Sequence, residues 1–171
     1  MNKDTNQIMA LINAFRMDGL GNDFVIIDRR KNSIDLAKEK IIELGSRSNI
    51  GFDQIIFIEK EKENFFPITI FNSDGGEISA CGNGSRCVAY LLGKNLDTKE
   101  IKLKTNNRLL NAKIVGNLQV ELEMGKPLFS FEDIPLSKTI NPADITLEVN
   151  DKKFTGGFCV NVGNQHIIFF V

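Results

Sequence analysis

The sequence has few of the residue types that mark secreted, membrane-spanning or nucleic-acid-binding proteins. Its three cysteines are too few, and odd in number, for a disulfide framework, which favours a reducing cytoplasm. The longest early apolar run covers residues 8–12, too short for a signal peptide or a membrane span. The net charge is −1, with no basic stripe. We therefore expect a cytoplasmic protein that binds neither nucleic acid nor membrane.

Composition and polarity pattern predict a globular α+β protein built mostly of strands. The chain is 42% hydrophobic and 25% charged, and its 171 residues suffice for one or two domains. One helix is expected at residues 36–44, with Ser33 or Asp35 as its cap and Gly45 as its end. Gly116 and Asn117 carry a hairpin-turn signal. Strands are expected at residues 24–28, 54–59, 66–72 with an early break at Pro67, 101–105, 108–115, 118–123, 145–149, 152–154, 158–162 and 167–171.

The most informative segment is a glycine-rich turn that leads into a short apolar helix. Asn83 or Gly84 can cap the start of this helix, and Gly93 follows its last apolar residue. Its apolar side chains cover nearly every direction, so the helix is expected inside the domain with a sheet around it. These side chains are Cys87, Val88, Ala89, Leu91 and Leu92.

Cys81 lies at the mouth of this turn, where chemistry by sulfur is favoured. The first turn of a helix has backbone N–H groups without partners inside the helix, and these groups favour an anion. A thiol at a helix start is expected to ionise easily, with a pKa of roughly 3.5–7.5 against about 8.5 for a free cysteine. The segment thus offers a candidate thiolate beside a place for a substrate carboxylate, which indicates acid–base or nucleophilic catalysis.

The end of the chain predicts a truncated protein. The sequence stops in the apolar run HIIFFV, in the middle of an expected strand, and an exposed apolar strand is normally covered. Residues 124–141 are loose and contain prolines, which is typical of a crossing between domains. The 46 residues after residue 125 are too few for an independent core, since segments below roughly 40–70 residues usually need extra staples. We expect one nearly complete domain, residues 14–124, and an incomplete second one, residues 125–171.

Four motifs resemble the diaminopimelate epimerase family in their order and spacing. They are RMDGLGNDFVIID, IGFDQIIFIE, FNSDGGEISACGNGSRC and NVGNQHIIFFV. The resemblance covers residues 14–171 and corresponds to the first part of a family member. Residues 1–13 precede the usual start and are interpreted as an N-terminal extension.

The resemblance implies an amino-acid racemase-type isomerase that needs no cofactor, neither pyridoxal phosphate nor metal. The family converts LL-2,6-diaminopimelate into the meso form, a precursor of lysine and peptidoglycan. Two cysteines face opposite sides of the α-carbon: one thiolate removes the proton, and the other thiol delivers one. Family members fold as two similar halves, each an antiparallel sheet or barrel wrapped around a central buried helix, with the substrate between them.

The resemblance also assigns roles to individual residues. Cys81 matches one acid–base cysteine, and His166 matches a histidine thought to tune the cysteine pKa values. Without the family, Cys81 would read as a small buried residue and the asparagines as turn residues. The residues that match substrate-binding positions are Asn22, Gln54, Asn72, Gly82, Asn83 and Asn164.

The remaining cysteines are read as structural, and two positions depart from the family pattern. Cys87 is expected in the core and Cys159 in strand packing. The spacing of Cys81 and Cys87 fits no common zinc pattern. Asp18 and Gln165 stand where the family usually has histidine and proline, and neither position carries the chemistry.

The second catalytic cysteine and the Glu–Arg pair of the family have no match in this sequence, so several functions stay open. The first is diaminopimelate epimerisation, in a longer chain or with a separate second half. The second is an inactive remnant of that enzyme. The third is a related isomerase of the proline racemase or phenazine-pathway type. A homodimer could bring two copies of Cys81 together, although no residue pattern shows the surface it would need.

Overall fold

The computed structural model describes residues 12–32, 34–136 and 140–170, and the chain divides after Leu122 into two compact units. Ser33 and most of the expected N-terminal extension lie outside the described residues. Among the described residues, no helix has the length and apolarity needed to cross a bilayer. The assignment of residues 14–124 and 125–171 as two epimerase-like domains stays a prediction.

The first unit is an eight-stranded sheet with two helices. In chain order its elements are β1 (Ala14–Gly19), β2 (Asn22–Asp28), α1 (Lys38–Gly45), β3 (Gln54–Ile58), β4 (Phe66–Asn72), β5 (Glu77–Ile78), α2 (Gly82–Leu96), β6 (Glu100–Lys104), β7 (Leu109–Gly116) and β8 (Gln119–Glu123). The strand order in the sheet is β1-β2-β3-β4-β6-β7-β8, and β5 pairs with β4. Helix α2 contacts β1, β2, β3, β6 and β7, so the sheet curves around it. This arrangement confirms the predicted sheet around a central helix.

Two strand pairs are parallel, which corrects the expected antiparallel sheet. Strand β2 runs parallel to β3 with Phe24 beside Gln54, and β4 runs parallel to β6 with Phe66 beside Leu103. Parallel neighbours need a long crossover connection, which is usually a helix. Here α1 connects β2 to β3 and α2 connects β4 to β6, so the sheet is mixed because both helices are crossovers.

The centre of the sheet is buried on both faces. Successive strand residues point to opposite faces, so Phe24 packs in the cluster around α2 while Val25 packs in the cluster around α1. Leu92 of α2 and Ile41 of α1 are almost completely buried against these two faces. Burial of each such side chain contributes about 1.5–3 kcal/mol. Continuous apolar runs in β2 and β3 are therefore what this topology requires.

Both ends of α2 differ from the prediction. The N-cap is Cys81, whose sulfur accepts the Gly84 N–H, rather than Asn83 or Gly84. The helix continues through the expected stop at Gly93 and ends at Leu96, with Asp97 in the left-handed conformation at φ 51° as C-cap. Gly93 is buried inside the helix because β7 packs directly against it.

Helix α1 also begins without the expected cap. Its N-cap is Ala37, which makes no side-chain capping hydrogen bond. Asp35 instead lies 3.3 Å from the guanidinium of Arg29. The predicted end at Gly45 is close to the observed one, since Gly45 is the last helical residue.

The strand predictions need several corrections. Strands β1 and β5 were not predicted. Pro67 does not break β4, because proline lacks only the N–H donor, and the Pro67 carbonyl accepts the Glu59 N–H at 2.9 Å. The hairpin turn between β7 and β8 consists of Asn117 and Leu118, with Leu118 at φ 57°. The two strands expected at residues 152–154 and 158–162 are one strand in the structure.

The second unit contains a three-stranded sheet in the order β11-β10-β9. Its strands are β9 (Ile145–Val149), β10 (Lys152–Asn161) and β11 (Gln165–Ile168). The register of β10 against β9 shifts between Phe154 and Gly157. Its small core is formed by Ile134, Ile145 and Cys159, with Leu136 and Phe169 packed against them.

The contacts of Gly93 generate a stability prediction. We expect Gly93→Ala to destabilise the protein by about 1–3 kcal/mol through overpacking, although alanine normally favours a helix over glycine by about 1 kcal/mol. The added Cβ would lie 2.7 Å from the Thr98 carbonyl oxygen and would also meet the Ile114 side chain. The measurement is the urea midpoint of unfolding.

The matched control for Gly93→Ala is Asn95→Ala, at an exposed position of the same helix. This control should stabilise the protein by about 0.5 kcal/mol through helix propensity alone. Equal midpoints for the two variants would show that α2 has room at Gly93 and would contradict the packing described above.

Candidate active site

Cys81 stands at the junction of the β5 turn and helix α2. Its backbone is extended, with φ −150° and ψ 103°, and it serves as the N-cap. The Gly84 N–H donates to the Cys81 sulfur at 3.3 Å, and the Ser85 N–H donates to the Cys81 carbonyl at 2.9 Å. The sulfur therefore occupies the place that a serine or aspartate oxygen takes in an ordinary N-cap, and its thiol is partly exposed.

The pKa of Cys81 is shifted in the direction opposite to the predicted one. Burial raises the pKa of the Cys81 thiol above its ordinary value of 9.0. The N–H groups of Gly84 and Asn83 and the charge of Arg86 lower this pKa, but by less than burial raises it. Loss of water around a thiolate outweighs the helix-start donors. The expectation of a readily ionised thiol is therefore wrong for this chain, and Cys81 carries its proton at neutral pH.

Gln54 and Asn72 form one pair of amide side chains in the first unit. Gln54 is the first residue of β3 and Asn72 is the last residue of β4. The antiparallel register of the two strands sets these residues opposite each other. The Gln54 Nε2 group donates to Asn72 Oδ1 at 3.2 Å. Gln54 Oε1 is buried and finds no hydrogen-bond donor within the described ranges. A buried acceptor left without a partner costs about 1–3 kcal/mol, so this oxygen suits a ligand that brings an N–H.

Asn22 and Asn83 form a second amide pair. Asn22 is the first residue of β2, and Asn83 lies in the first turn of α2. The Asn83 Nδ2 group donates to Asn22 Oδ1 at 2.9 Å across a separation of 61 residues. The structure thus brings the predicted residues of the GLGND and CGNG motifs into direct contact.

The topology explains why these residues share one end of the sheet. Strands β2 and β3 are parallel and both begin here, while β4 is antiparallel to β3 and ends here. Helix α2 starts shortly after β4, because β5 and its turn connect them. The residues of this set in the first unit are Asn22, Gln54, Asn72, Cys81, Gly82 and Asn83.

Two predicted residues belong to the second unit. Asn164 lies between β10 and β11, and His166 lies in β11, paired with Val160 of β10. Their roles toward the substrate and toward Cys81 stay predictions.

Two charged residues that contact the predicted amides were missed from the sequence. Asp53 accepts a hydrogen bond from Asn22 Nδ2 at 3.2 Å, and Arg86 donates to Asn83 Oδ1. Asp53 directly precedes Gln54 in the GFDQ motif, and Arg86 lies within GNGSRC. The motifs contained both residues, but only the fold shows what they bind.

The other two cysteines are structural, as expected. Cys87 is buried, and its thiol donates to the Asp18 carbonyl at 3.6 Å. Burial raises the pKa of Cys87 to about 11. Cys159 is completely buried in the second unit, and burial raises its pKa as well. Both thiols are buried in core clusters and are therefore less accessible to a substrate than the partly exposed thiol of Cys81.

A cavity of about 510 Å³ lies beside α2 and is lined mainly by residues of β1, α2, β7 and β8. Asn83, Arg86 and Cys87 contribute to its wall, whereas Cys81 does not. The cavity therefore adjoins the amide pair without containing the Cys81 thiol.

Solved structures share this fold. A hydroxyproline epimerase from Agrobacterium vitis matches 92% of this chain and 51% of its own length, with a TM-score of 0.62 and 11% identity. A structure described as a predicted epimerase from Pseudomonas aeruginosa matches 93% of this chain and 59% of its own, with a TM-score of 0.60 and 16% identity. At these identities the likeness shows the fold alone: the chain has the fold of epimerases.

Closer relatives define the family. The family model of diaminopimelate epimerase matches residues 14–130. The diaminopimelate epimerase of Pelagibacter ubique is 52% identical over 163 residues, which are 94% of this chain and 60% of that protein. The diaminopimelate epimerase of Acidiphilium cryptum is 39% identical over 91% of this chain and 56% of that protein. The chain belongs to the diaminopimelate epimerase family, and it spans less than two thirds of the length of these relatives.

The raised pKa of Cys81 generates a reactivity prediction. Because burial raises the pKa of the thiol, a smaller fraction of Cys81 than of free cysteine is thiolate at pH 7. We expect the rate of alkylation of Cys81 by iodoacetamide to climb about tenfold per pH unit from pH 7 and to show no plateau below pH 9. The measurement is mass spectrometry of the Cys81 peptide against pH.

Two reference thiols make the alkylation experiment specific: free cysteine in solution and Cys87 in the same chain. Free cysteine, with a pKa near 8.5, should level off earlier than Cys81. Buried Cys87 should stay unmodified while the protein is folded. A plateau for Cys81 below pH 8.5 would reverse the sign of the shift and restore the helix-start expectation.

Proposed function

We propose that this chain carries one half of a diaminopimelate epimerase active site, with Cys81 as one of its two acid–base groups. One observation carries the proposal: a partly exposed thiol caps the helix at the same end of the sheet where two amide pairs meet. Family membership supports the substrate, LL-diaminopimelate, and the reaction, inversion at one α-carbon. The pathway would be that of lysine and peptidoglycan precursors.

The start of α2 suits the α-carboxylate of such a substrate. Backbone N–H groups of the first turn, among them those of Gly82 and Asn83, point away from the helix and favour an anion. When the α-proton leaves, negative charge moves onto the carboxylate oxygens, and N–H donors fixed in advance stabilise this charge best. The helix start therefore binds the group on which charge develops.

The amide pairs suit the substrate's ammonium group and its orientation. Amides supply both donors and acceptors without a net charge. The buried Gln54 Oε1 lacks a donor among the described residues, and an ammonium N–H would satisfy it. We propose that Asn22, Gln54 and Asn72 bind around the amino-acid end of the substrate, with the carboxylate toward Gly82 and Asn83.

Cys81 is proposed to act in its protonated form first. Because its pKa is raised, its thiol holds a proton at neutral pH and can deliver it to one face of the α-carbon. The proton on the other face goes to the second cysteine, which the resemblance implies and this sequence does not match. After one turnover the Cys81 sulfur is the thiolate, so the reverse reaction begins with Cys81 as the base. One proton leaves and one enters, and no other reagent is consumed.

The remaining assignments rest on the family match of the GNQH motif. We propose that Asn164 contacts substrate and that His166 tunes the cysteine pKa values. The second half of the site would come from a longer chain, a separate chain or a second copy. All three cysteines are free thiols, which supports placing the protein in a reducing compartment such as the cytoplasm.

An exchange experiment tests the proposed function. The protein is incubated with LL-diaminopimelate in deuterated water, and label at the α-carbon and formation of the meso isomer are followed by NMR and chiral chromatography. With LL-diaminopimelate, label is expected at the α-carbon together with inversion when the second half is present. With meso-diaminopimelate, whose inverted centre carries its proton on the Cys81 face, the chain alone is expected to exchange label without inversion. Cys81→Ala should lower the exchange rate by at least about 100-fold, the usual contribution of a positioned acid or base.

The matched control is Cys87→Ala, which removes a thiol from the same helix region without touching the proposed proton path. It should keep the exchange rate within about threefold, because Cys87 is buried in the core cluster around α2. Exchange that survives Cys81→Ala would remove Cys81 from the chemistry. A folded protein that exchanges no label would favour the inactive remnant, and exchange of trans-4-hydroxyproline instead would favour the related isomerases.

A further inference from the structure

We propose that Asp53 is a positioning residue: its carboxylate fixes the side-chain amide of Asn22, and through Asn22 that of Asn83, in the orientation that binds substrate. The inference rests on the proposed function for the part that concerns substrate. The orientation of the two amides is a property of the chain itself and can be measured without substrate.

Asp53, the residue directly before β3, makes hydrogen bonds to several neighbouring segments. Its N–H donates to the Asp23 carbonyl at 3.0 Å, and its carbonyl accepts the Ser73 N–H at 3.0 Å. One carboxylate oxygen, Oδ2, accepts both the Asp23 N–H at 3.0 Å and Asn22 Nδ2 at 3.2 Å. The other oxygen, Oδ1, accepts a guanidinium N–H of Arg47. The carboxylate is thus placed by backbone contacts to two neighbouring segments before it meets Asn22.

Four side chains form a row in which every hydrogen bond is donated in the direction of Asp53: Arg86, Asn83, Asn22 and Asp53. Arg86 donates to Asn83 Oδ1, Asn83 Nδ2 donates to Asn22 Oδ1, and Asn22 Nδ2 donates to Asp53. A guanidinium can only donate, and an ionised carboxylate can only accept. The two charged ends therefore dictate which atom of each amide faces which neighbour.

A flipped amide in this row would be penalised twice. If Asn22 turned over, its oxygen would face the Asp53 carboxylate and its NH₂ group would face the NH₂ group of Asn83. Both hydrogen bonds would be lost, and two like-polarity contacts would replace them. In the observed orientation each amide keeps one N–H and one lone pair that the row does not use, and these are the groups available to a substrate.

A neighbouring carboxylate shows that this role is specific to Asp53. The side chains of Asp23 and Asp53 have similar exposed fractions, 32% and 34%, and both contact Arg47. Only Asp53 accepts a hydrogen bond from Asn22. The backbone N–H of Asp23 and the Asn22 amide lower the pKa of Asp53, in line with a carboxylate that stays ionised.

The test compares Asp53→Asn with Asp23→Asn in the ¹⁵N-labelled chain. Each variant removes one negative charge and one Arg47 contact, and Asp23→Asn also removes an Arg16 contact, but only Asp53→Asn replaces the carboxylate that accepts from Asn22 with a neutral amide. Expected are altered side-chain NH₂ resonances of Asn22 and Asn83 in Asp53→Asn, with hydrogen exchange of those groups about tenfold faster. In Asp23→Asn both pairs of resonances should keep their positions and exchange rates. Unchanged Asn22 and Asn83 signals in Asp53→Asn would overturn the proposal.

Hydrogen exchange in the wild-type chain tests the proposal even when the Asp53→Asn variant does not fold. The Nδ2 protons of Asn22 should exchange at least about tenfold more slowly than those of exposed Asn95, because one of them is bound to the Asp53 carboxylate. Equal exchange rates for Asn22 and Asn95 would show that the hydrogen bond to Asp53 is not formed and would end the proposal.

Titration with LL-diaminopimelate separates this inference from the proposed function. Asp53→Asn should weaken binding about tenfold, and Asp23→Asn should weaken it less than twofold, as judged by resonance shifts. A wild-type chain with the expected amide signals and no response to diaminopimelate would contradict the proposed function and leave the positioning intact. Full binding by Asp53→Asn would contradict the positioning and leave the function intact.

Discussion

The burial of helix α2 by one curved sheet is the constraint on which the rest of the first unit depends. Val88 and Leu92 lie completely buried against strands that come from both before and after the helix in sequence. Because the helix is fixed along its length, its first turn is also fixed, and with it the Cys81 cap. A mobile helix start could not hold a thiol, backbone donors and amides at one end of a sheet.

The same burial makes the Cys81 thiol harder to ionise. Packing around the helix start removes water from the Cys81 sulfur, and this raises the pKa of the thiol although N–H donors and Arg86 lie close by. A thiol that keeps its proton is a competent acid and a scarce base. The proposed two-base inversion accommodates this, since it needs one sulfur protonated and the other ionised.

Neutral amides and charged side chains occupy different positions at this end of the sheet. The amides of Asn22, Gln54, Asn72 and Asn83 present donors and acceptors without altering the local field. Full charges stay one contact further out, on Asp53 and Arg86, where they orient the amides from behind. This arrangement gives Asn22 and Asn83 a defined orientation, while Gln54 and Asn72 orient each other through their own hydrogen bond.

Local patterns in the sequence predicted much of the fold and named the candidate site residues. Apolar runs identified β3 and β4, alternating polarity identified the β6–β8 region, and the glycine-rich turn identified α2, because these signals depend on neighbouring residues. Strand β1 was missed although residues 15–18 alternate in polarity, because the run is short and leads directly into a glycine-rich turn. The starts of both helices and the end of α2 were misplaced: Gly93 reads as a stop, yet β7 lies against it and the helix continues.

The sequence by itself determined the family, the place of Cys81 at a helix start and the identity of the candidate amides, because motifs and turn residues act within a few positions of chain. Only the tertiary structure decided the sign of the Cys81 pKa shift, the parallel strand pairs and the row from Arg86 to Asp53. Desolvation depends on every segment that packs around a group, and the contact between Asn22 and Asn83 joins residues 61 positions apart. No local pattern encodes either quantity.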